Sequence, residues 1–152
     1  MTRVMTLYDR AVSLASARLP EGFVLLLLRV ALAGVFWRSG RTKVIEGSWF
    51  QINPDTYELF KSEFSGLPLD PSIAVPLTTF AEHFFPMLLL LGLATRLSAG
   101  ALLVMTLVIQ IFVFPDAWWP VHSLWAAMAA VLIVRGGGLF SLDALALKLR
   151  GR

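Results

Sequence analysis

Hydrophobic residues in this chain are concentrated in four long runs that are separated by shorter polar stretches. The runs cover about residues 22–39, 73–94, 97–114 and 118–134. A helix that crosses a bilayer needs roughly 20 predominantly apolar residues. The stretch "ALLVMTLVIQIFVF" at 101–114 also lacks the polar face that a helix in a soluble bundle would present to water. The pattern therefore predicts an all-α fold, an integral membrane four-helix bundle.

A shorter helix is predicted in the loop between the first two runs. The Asn-Pro pair at 53–54 is typical of a helix start, and Gly66 is typical of the position just past a helix end. Tyr57, Phe60 and Phe64 recur at a spacing of three or four residues, which places them on one face. We expect this aromatic face to press onto the bundle and to form a lid over its outer mouth.

Amphipathic helices are also predicted at both ends of the chain. Near the start, Leu7 and Leu14 share a face, and Pro20 ends the segment before the first run. This segment is either a helix along the inner membrane interface or an ordinary solvated lead-in. Near the end, Ser141 is the expected cap of a last helix that carries Leu145.

Composition agrees with one membrane domain over residues 1–152. Of the 152 residues, 57% are hydrophobic and 15% are charged, whereas a soluble domain has about 25% charged residues. The absence of cysteine excludes disulfides, thiolate metal sites and iron–sulfur clusters. Residues 1–21 contain charges and no apolar core, so a signal peptide is not expected. The net charge of +3 is attributed to membrane topology, and no nucleic-acid partner is expected.

The distribution of basic residues predicts the orientation of the spans. With both termini in the cytoplasm, eight Lys and Arg residues lie on the cytoplasmic side and four lie outside, with Arg29 inside the first span. Basic residues that flank spans are retained on the cytoplasmic side. We therefore expect a multi-pass protein of the inner (plasma) membrane with both termini cytoplasmic and the lipid bilayer as its first partner.

Several polar residues interrupt the apolar runs. Ionisable side chains within a span usually face the bundle interior and find a partner there. If the first span ends near Ser39 and the second begins near Ile73, Arg29 and Glu82 both lie about 15 Å below the outer surface. We therefore predict a buried Arg29–Glu82 ion pair. The polar groups of all four spans are expected to gather in the outer half, and the inner half is expected to be close to pure hydrocarbon.

This outer cluster is the candidate ligand pocket. A quinone headgroup needs a His or Gln partner, aromatic walls and an apolar channel for its tail. Two histidines without cysteine or a second carboxylate provide few ligands for a metal ion, so neither haem nor a metal site is expected. The histidines could equally be packing residues, and the ion pair could serve only to fix helix register. The candidate pocket residues are Arg29, Arg38, Lys43, Glu82, His83, Gln110 and His122.

Three segments resemble the DoxX family. "LLLLRVALAGVFWRSGRTKV" is similar to its first span, "FAEHFFPMLLLLGLATRLSAGALLVMTLVIQ" to its second and third spans, and "GGGLFSLDAL" to its C-terminal segment. Arg29, Lys43, Glu82 and Arg96 match recurrent family positions. The end of the first span is more basic than the usual family form, which leaves open a small anion such as a sulfur oxoanion as the ligand.

The resemblance implies a small four-helix membrane protein, associated in the family with membrane oxidoreductases that use quinones and with partners in oxidative-stress defence. The first hypothesis is an accessory subunit of a membrane redox system, working with a membrane or periplasmic redox partner and binding a quinone-like or small anionic ligand. The second is a non-catalytic scaffold or transport-type component in a metal-handling or modified-peptide system. The third is a purely structural bundle. A homo-oligomer is compatible with each hypothesis, and the motifs identify no catalytic residue.

Overall fold

The computed structural model describes residues 2–15 and 18–151 and is built from α-helices. The helices are α1 (Thr2–Ala15), α2 (Arg18–Thr42), α3 (Asp55–Ser62), α4 (Pro71–Leu91), α5 (Thr95–Phe112), α6 (Ser123–Arg135) and α7 (Leu142–Leu149). A 3₁₀ turn at Pro115–Ala117 and a π-helical turn at Trp118–His122 join α5 to α6.

The predicted membrane-spanning bundle is confirmed. Within the described ranges, four segments are long and apolar enough to cross a bilayer, namely Pro20–Thr42, Pro71–Leu91, Thr95–Phe112 and Pro115–Arg135. Each span packs on two others, in the cyclic order α2, α4, α5, α6. Residues 43–70 lie at one end of the bundle, called the loop end. The α4–α5 turn and residues 136–149 lie at the other, called the terminal end.

The bundle core is apolar and closely packed. Leu32, Phe36, Leu89, Leu102 and Leu132 are all buried in it. The small residues Ala99 and Ala129 are fully buried, which lets neighbouring helices approach closely. Many other leucines of the spans are exposed, as expected for side chains that face lipid rather than water.

Helix α4 has clear start and stop signals. The Asp70 carboxylate accepts a hydrogen bond from the Ser72 amide at 2.9 Å, which caps the helix and lowers the pKa of Asp70. The helix ends at Gly92, which has φ +66°, a conformation that glycine adopts without strain. Pro76 and Pro86 lie inside α4, and the segment remains one helix through both.

The loop helix is α3, and its aromatic face is turned inward as predicted. Phe60 is 2% exposed and packs with Ala74 and Val75 at the start of α4. Its ring is stacked on that of Phe64, with 4.4 Å between centroids. The Asn53 side chain accepts a hydrogen bond from the Asp55 amide, so the predicted start signal acts here as well. Residues of α3 therefore lie over the loop end of the bundle.

The predicted terminal helices are present as α1 and α7. In α7, the Ser141 hydroxyl accepts a hydrogen bond from the Ala144 amide at 3.1 Å, which confirms the predicted cap. In α1, Leu7 and Leu14 are exposed, and the position of this helix at the membrane interface stays a prediction. Residues 16 and 17, within the predicted N-terminal segment, lie outside the described residues.

Candidate functional site

A buried ion pair joins the end of α2 to the middle of α4. Lys43 Nζ lies 2.6 Å from Glu82 Oε2, and the two side chains are only 7% and 2% exposed. Ser39, one turn before Lys43, donates its hydroxyl proton to Glu82 Oε1 at 3.0 Å. Lys43 also donates to Ser39 Oγ at 3.0 Å and to the Ser39 carbonyl at 3.3 Å. The three side chains form a closed hydrogen-bonded cluster that occupies all three ammonium protons of Lys43.

The predicted Arg29–Glu82 ion pair is wrong. Antiparallel packing places Ser39 beside Glu82, so Arg29 lies about 15 Å closer to the terminal end by the rise of an α-helix. The prediction ended the first span at Ser39, whereas α2 continues to Thr42. It also aligned the second span from its first residues, although the first turns of α4 pack against α3 beyond the bundle.

Arg29 instead closes the terminal end of the bundle. Its guanidinium donates to the carbonyls of Leu89 at 3.2 Å, Leu90 at 3.3 Å and Phe140 at 2.5 Å. The first two carbonyls belong to the last turn of α4, where the helix dipole favours a cation. A side chain at Gly92 would collide with Arg29 Nη1. Arg29 therefore joins α2 to α4 and to the C-terminal segment. The expectation that the inner half is close to pure hydrocarbon is wrong, because this buried guanidinium lies there.

A cavity of about 340 Å³ lies at the loop end, next to the Lys43–Glu82 cluster. Its apolar walls come from α2, α4, α5, α6 and the lid region of α3 and the residues that follow it. They include Phe36, Phe60, Phe64, Met105, Val108, Phe114 and Trp125. Its polar side chains are Ser39, Lys43, Thr78, Glu82 and His122. This arrangement is an apolar chamber with polar groups contributed by three of the spans.

Hydrogen bonds behind His122 determine which ring nitrogen carries the proton. Gln110 donates its amide N–H to the Pro115 carbonyl at 2.5 Å, which turns its oxygen toward His122. That oxygen lies 2.7 Å from His122 Nδ1, so Nδ1 must be the donor. In the neutral imidazole, Nε2 is then a hydrogen-bond acceptor. His122 packs against Trp125, with 5.0 Å between ring centroids, and both line the cavity.

His83 lies on a different face of α4 from Glu82 and does not line this cavity. Its Nδ1 lies 2.7 Å from the Thr79 carbonyl, and its ring packs against Gly40 and the edge of Trp37. Its Nε2 is buried and has no hydrogen-bond partner among the described residues. His83 lines a second, smaller cavity of about 200 Å³ together with exposed aromatic residues such as Trp49 and Phe80.

The structure thus divides the candidate residues into separate groups. Lys43, Glu82 and His122 line the loop-end cavity, and Gln110 orients His122 from behind. Arg29 and His83 lie elsewhere, and Arg38 is exposed on α2. Across the described part of the chain, no group of three His, Asp or Glu side chains is placed to hold a metal ion.

The sequence candidates did not include Ser39, Phe36 or Trp125. Ser39 and Lys43 are four residues apart, a spacing that places two side chains on one face of a helix that reaches both residues. That spacing was available in the sequence, but ending the first span at Ser39 left Lys43 in a loop. Phe36 and Trp125 carried no distinguishing signal, because aromatic residues are common in the cores of membrane bundles.

Comparisons with known proteins identify the family of this fold. The family model described as DoxX matches residues 24–116, more than half of the chain and including both Lys43 and Glu82. A protein from Haemophilus influenzae strain Rd is 30% identical in an alignment of 140 residues that covers 82% of this chain and 84% of that relative. It is described only as an uncharacterized protein. No solved structure matches the chain at a significant level. The chain belongs to the DoxX family of membrane proteins.

Proposed function

We propose that the loop-end cavity binds the headgroup of a quinol-type ligand, and that the protein is an accessory subunit of a membrane redox system in the plasma membrane. The observation that carries this proposal is the cavity itself, an apolar chamber with hydrogen-bond acceptors on two of its walls. Its volume of about 340 Å³ falls within the range of small-molecule sites in proteins, roughly 300–1,000 Å³.

The hydrogen-bonding groups of the cavity favour a ligand that donates protons. All three ammonium protons of Lys43 are already bonded to Ser39 and Glu82. His122 Nε2 and the remaining lone pairs of Glu82 are acceptors. A quinol presents two hydroxyl donors to such a wall, whereas the carbonyl oxygens of a quinone would compete with Glu82 for Lys43.

The same cluster argues against a small anion as the ligand. The charges of Lys43 and Glu82 cancel within their ion pair. An anion would have to draw Lys43 away from Glu82 and leave a buried carboxylate without its partner, which is costly. A neutral ring with hydroxyl groups enters without disturbing the pair.

The wall between α4 and α5 supplies a route for an apolar tail. Leu77 on α4 and Val104 on α5 both line the cavity, and they are 55% and 60% exposed. Because both residues belong to spans, their exposed sides face the bilayer. A ligand can therefore keep its headgroup in the cavity while its tail stays in lipid.

Binding of a short-chain benzoquinol under anaerobic conditions tests the proposal. Trp125 forms part of the wall, so quenching of tryptophan fluorescence reports occupancy. We expect the quinol to bind more tightly than the matching quinone. His122→Leu should weaken quinol binding roughly five- to tenfold, the effect of one lost hydrogen bond.

The matched control is His83→Leu, which removes the other histidine from a different cavity and should leave quinol affinity unchanged. The same loss in both variants would assign the effect to a general disturbance of the bundle. Absence of binding by a folded wild-type protein would favour the purely structural bundle.

A further inference from the structure

We propose that the terminal end of the bundle carries a binding site for the phosphate group of an anionic phospholipid, with Arg96 and Arg150 as its ligands. This site is independent of the loop-end cavity and lies at the opposite end of the bundle. It occupies an open cavity of about 720 Å³ bounded by α5, α7 and the glycine turn at residues 136–138.

The site lies at the level where lipid headgroups are found. Arg96 is the second residue of the third span, and Arg135, which also lines the cavity, is the last residue of the fourth. Guanidinium groups at the ends of spans are therefore placed beside the phosphate layer rather than in the hydrocarbon. Exposed leucines of the same cavity, Leu93, Leu97 and Leu147, extend from it along the bundle surface.

Two of the three arginines are free to bind a ligand. Arg135 donates to the Glu21 carboxylate at 2.7 Å. The guanidinium groups of Arg96 and Arg150 have no hydrogen-bond or ion-pair partner among the described residues. Arginine matches phosphate through two parallel N–H donors. An uncompensated pair of guanidinium groups in one cavity is therefore complementary to a phosphate diester.

The acidic residue of the cavity wall does not neutralise this pair by direct contact. Both carboxylate oxygens of Asp143 accept backbone hydrogen bonds, from the Ala94 and Thr95 amides at 2.8 Å each. Asp143 thus caps the start of α5 and ties α7 to it. Asp143 contributes one negative charge to the cavity, which is smaller than the combined positive charge of Arg96 and Arg150.

The glycine turn leaves the Arg96 guanidinium accessible. A Cβ atom at position 136 would lie 3.4 Å from Arg96 Nε and 3.8 Å from Nη2. Gly136 has φ +77° and Gly138 has φ +73°, conformations that L-residues rarely adopt. The three glycines therefore place no side chain of the turn over the Arg96 guanidinium.

The exposed leucines favour a lipid over a free phosphate ion. A soluble phosphate would be held by the arginines alone and would gain nothing from Leu93, Leu97 or Leu147. A phospholipid would place its phosphate between the guanidinium groups and its acyl chains against these leucines. One molecule would then contact both the arginines and the exposed leucines of the cavity.

Lipid retention measured by native mass spectrometry tests this proposal. Delipidated protein is mixed with equal amounts of phosphatidylglycerol and phosphatidylcholine, and the bound lipid is counted. We expect the wild type to retain phosphatidylglycerol preferentially. Arg96→Gln combined with Arg150→Gln should reduce this retention about tenfold or more, because each basic residue near a membrane surface contributes measurably to anionic-lipid binding.

The matched control is the double variant Arg38→Gln with Lys61→Gln, which removes the same charge from the loop end. It should retain phosphatidylglycerol as the wild type does. The proposal would be overturned if the Arg96/Arg150 variant retained as much phosphatidylglycerol as the wild type. It would also be overturned if the control variant lost as much phosphatidylglycerol as the Arg96/Arg150 variant. Displacement of bound phosphatidylglycerol by millimolar inorganic phosphate would overturn the assignment to a lipid.

Discussion

Glu82 lies in the apolar core because Lys43 and Ser39 satisfy both of its carboxylate oxygens. Glu82→Gln would leave Lys43 as a buried charge without its counter-ion. Removing one partner of a buried ion pair typically costs about 3–5 kcal/mol. We therefore expect a marked fall in the thermal stability of the detergent-solubilised protein. The matched control is Glu58→Gln, which breaks the exposed Glu58–Lys61 pair and should change stability little.

A double substitution distinguishes the cost of leaving Lys43 buried without a counter-ion from the loss of the Lys43–Glu82 ion pair itself. Replacing both Lys43 and Glu82 by methionine removes the two buried charges together and should restore much of the stability lost by Glu82→Gln. A stability loss in the double variant as large as the sum of the two single losses would contradict the assignment of Lys43 and Glu82 as partners.

The two histidines should share one tautomer in the ligand-free protein. His83 Nδ1 faces the Thr79 carbonyl and His122 Nδ1 faces the Gln110 amide oxygen, and both partners are acceptors. Nitrogen-15 NMR of histidine-labelled protein should therefore show protonated Nδ1 for both rings. Gln110→Leu should alter the His122 signals and leave those of His83 unchanged, so a change confined to His83 would contradict the contacts described above.

At the scale of helices, the hydrophobic pattern predicted which segments are helical but not how α2 and α4 are aligned. Length, apolarity and the cap residues Asn53 and Ser141 are local properties, so they could be read from the sequence. The partner of Glu82 depends on the position of α4 along α2. The first turns of α4 pack on α3, and that tertiary contact is not a local property of the sequence. The prediction set Ser39 level with Ile73, whereas Ser39 lies beside Glu82. This offset of nine residues along α4 paired Glu82 with Arg29 instead of Lys43.

The lid helix α3 should depend on one aromatic side chain. Phe60 is almost fully buried between α3 and α4, whereas the adjacent Leu59 is 39% exposed. Phe→Ala substitutions in cores cost about 3–5 kcal/mol. Phe60→Ala should therefore accelerate amide hydrogen exchange across α3 far more than Leu59→Ala does. Equal exchange in the two variants would show that α3 is held by contacts other than Phe60.

For the whole molecule, the two ends of the bundle are chemically different. The loop end holds an apolar chamber in which Lys43 is neutralised by Glu82. The terminal end presents Arg96 and Arg150 at its surface, next to a glycine turn. Two sites that face opposite membrane surfaces would let the loop end bind a lipid-soluble ligand while the terminal end is anchored to headgroups.

The orientation of the whole bundle follows from the same asymmetry. Apart from Arg29, eight Lys and Arg residues belong by sequence to the terminal end and four belong to the loop end. One of the four at the loop end, Lys43, is buried. Basic flanks are retained in the cytoplasm, so we expect the terminal end to be cytoplasmic. Reporter fusions at residue 60 and at the C-terminus should report opposite sides, with the C-terminal fusion inside. Fusions on the same side would contradict the arrangement of spans, and exchanged sides would contradict the orientation alone.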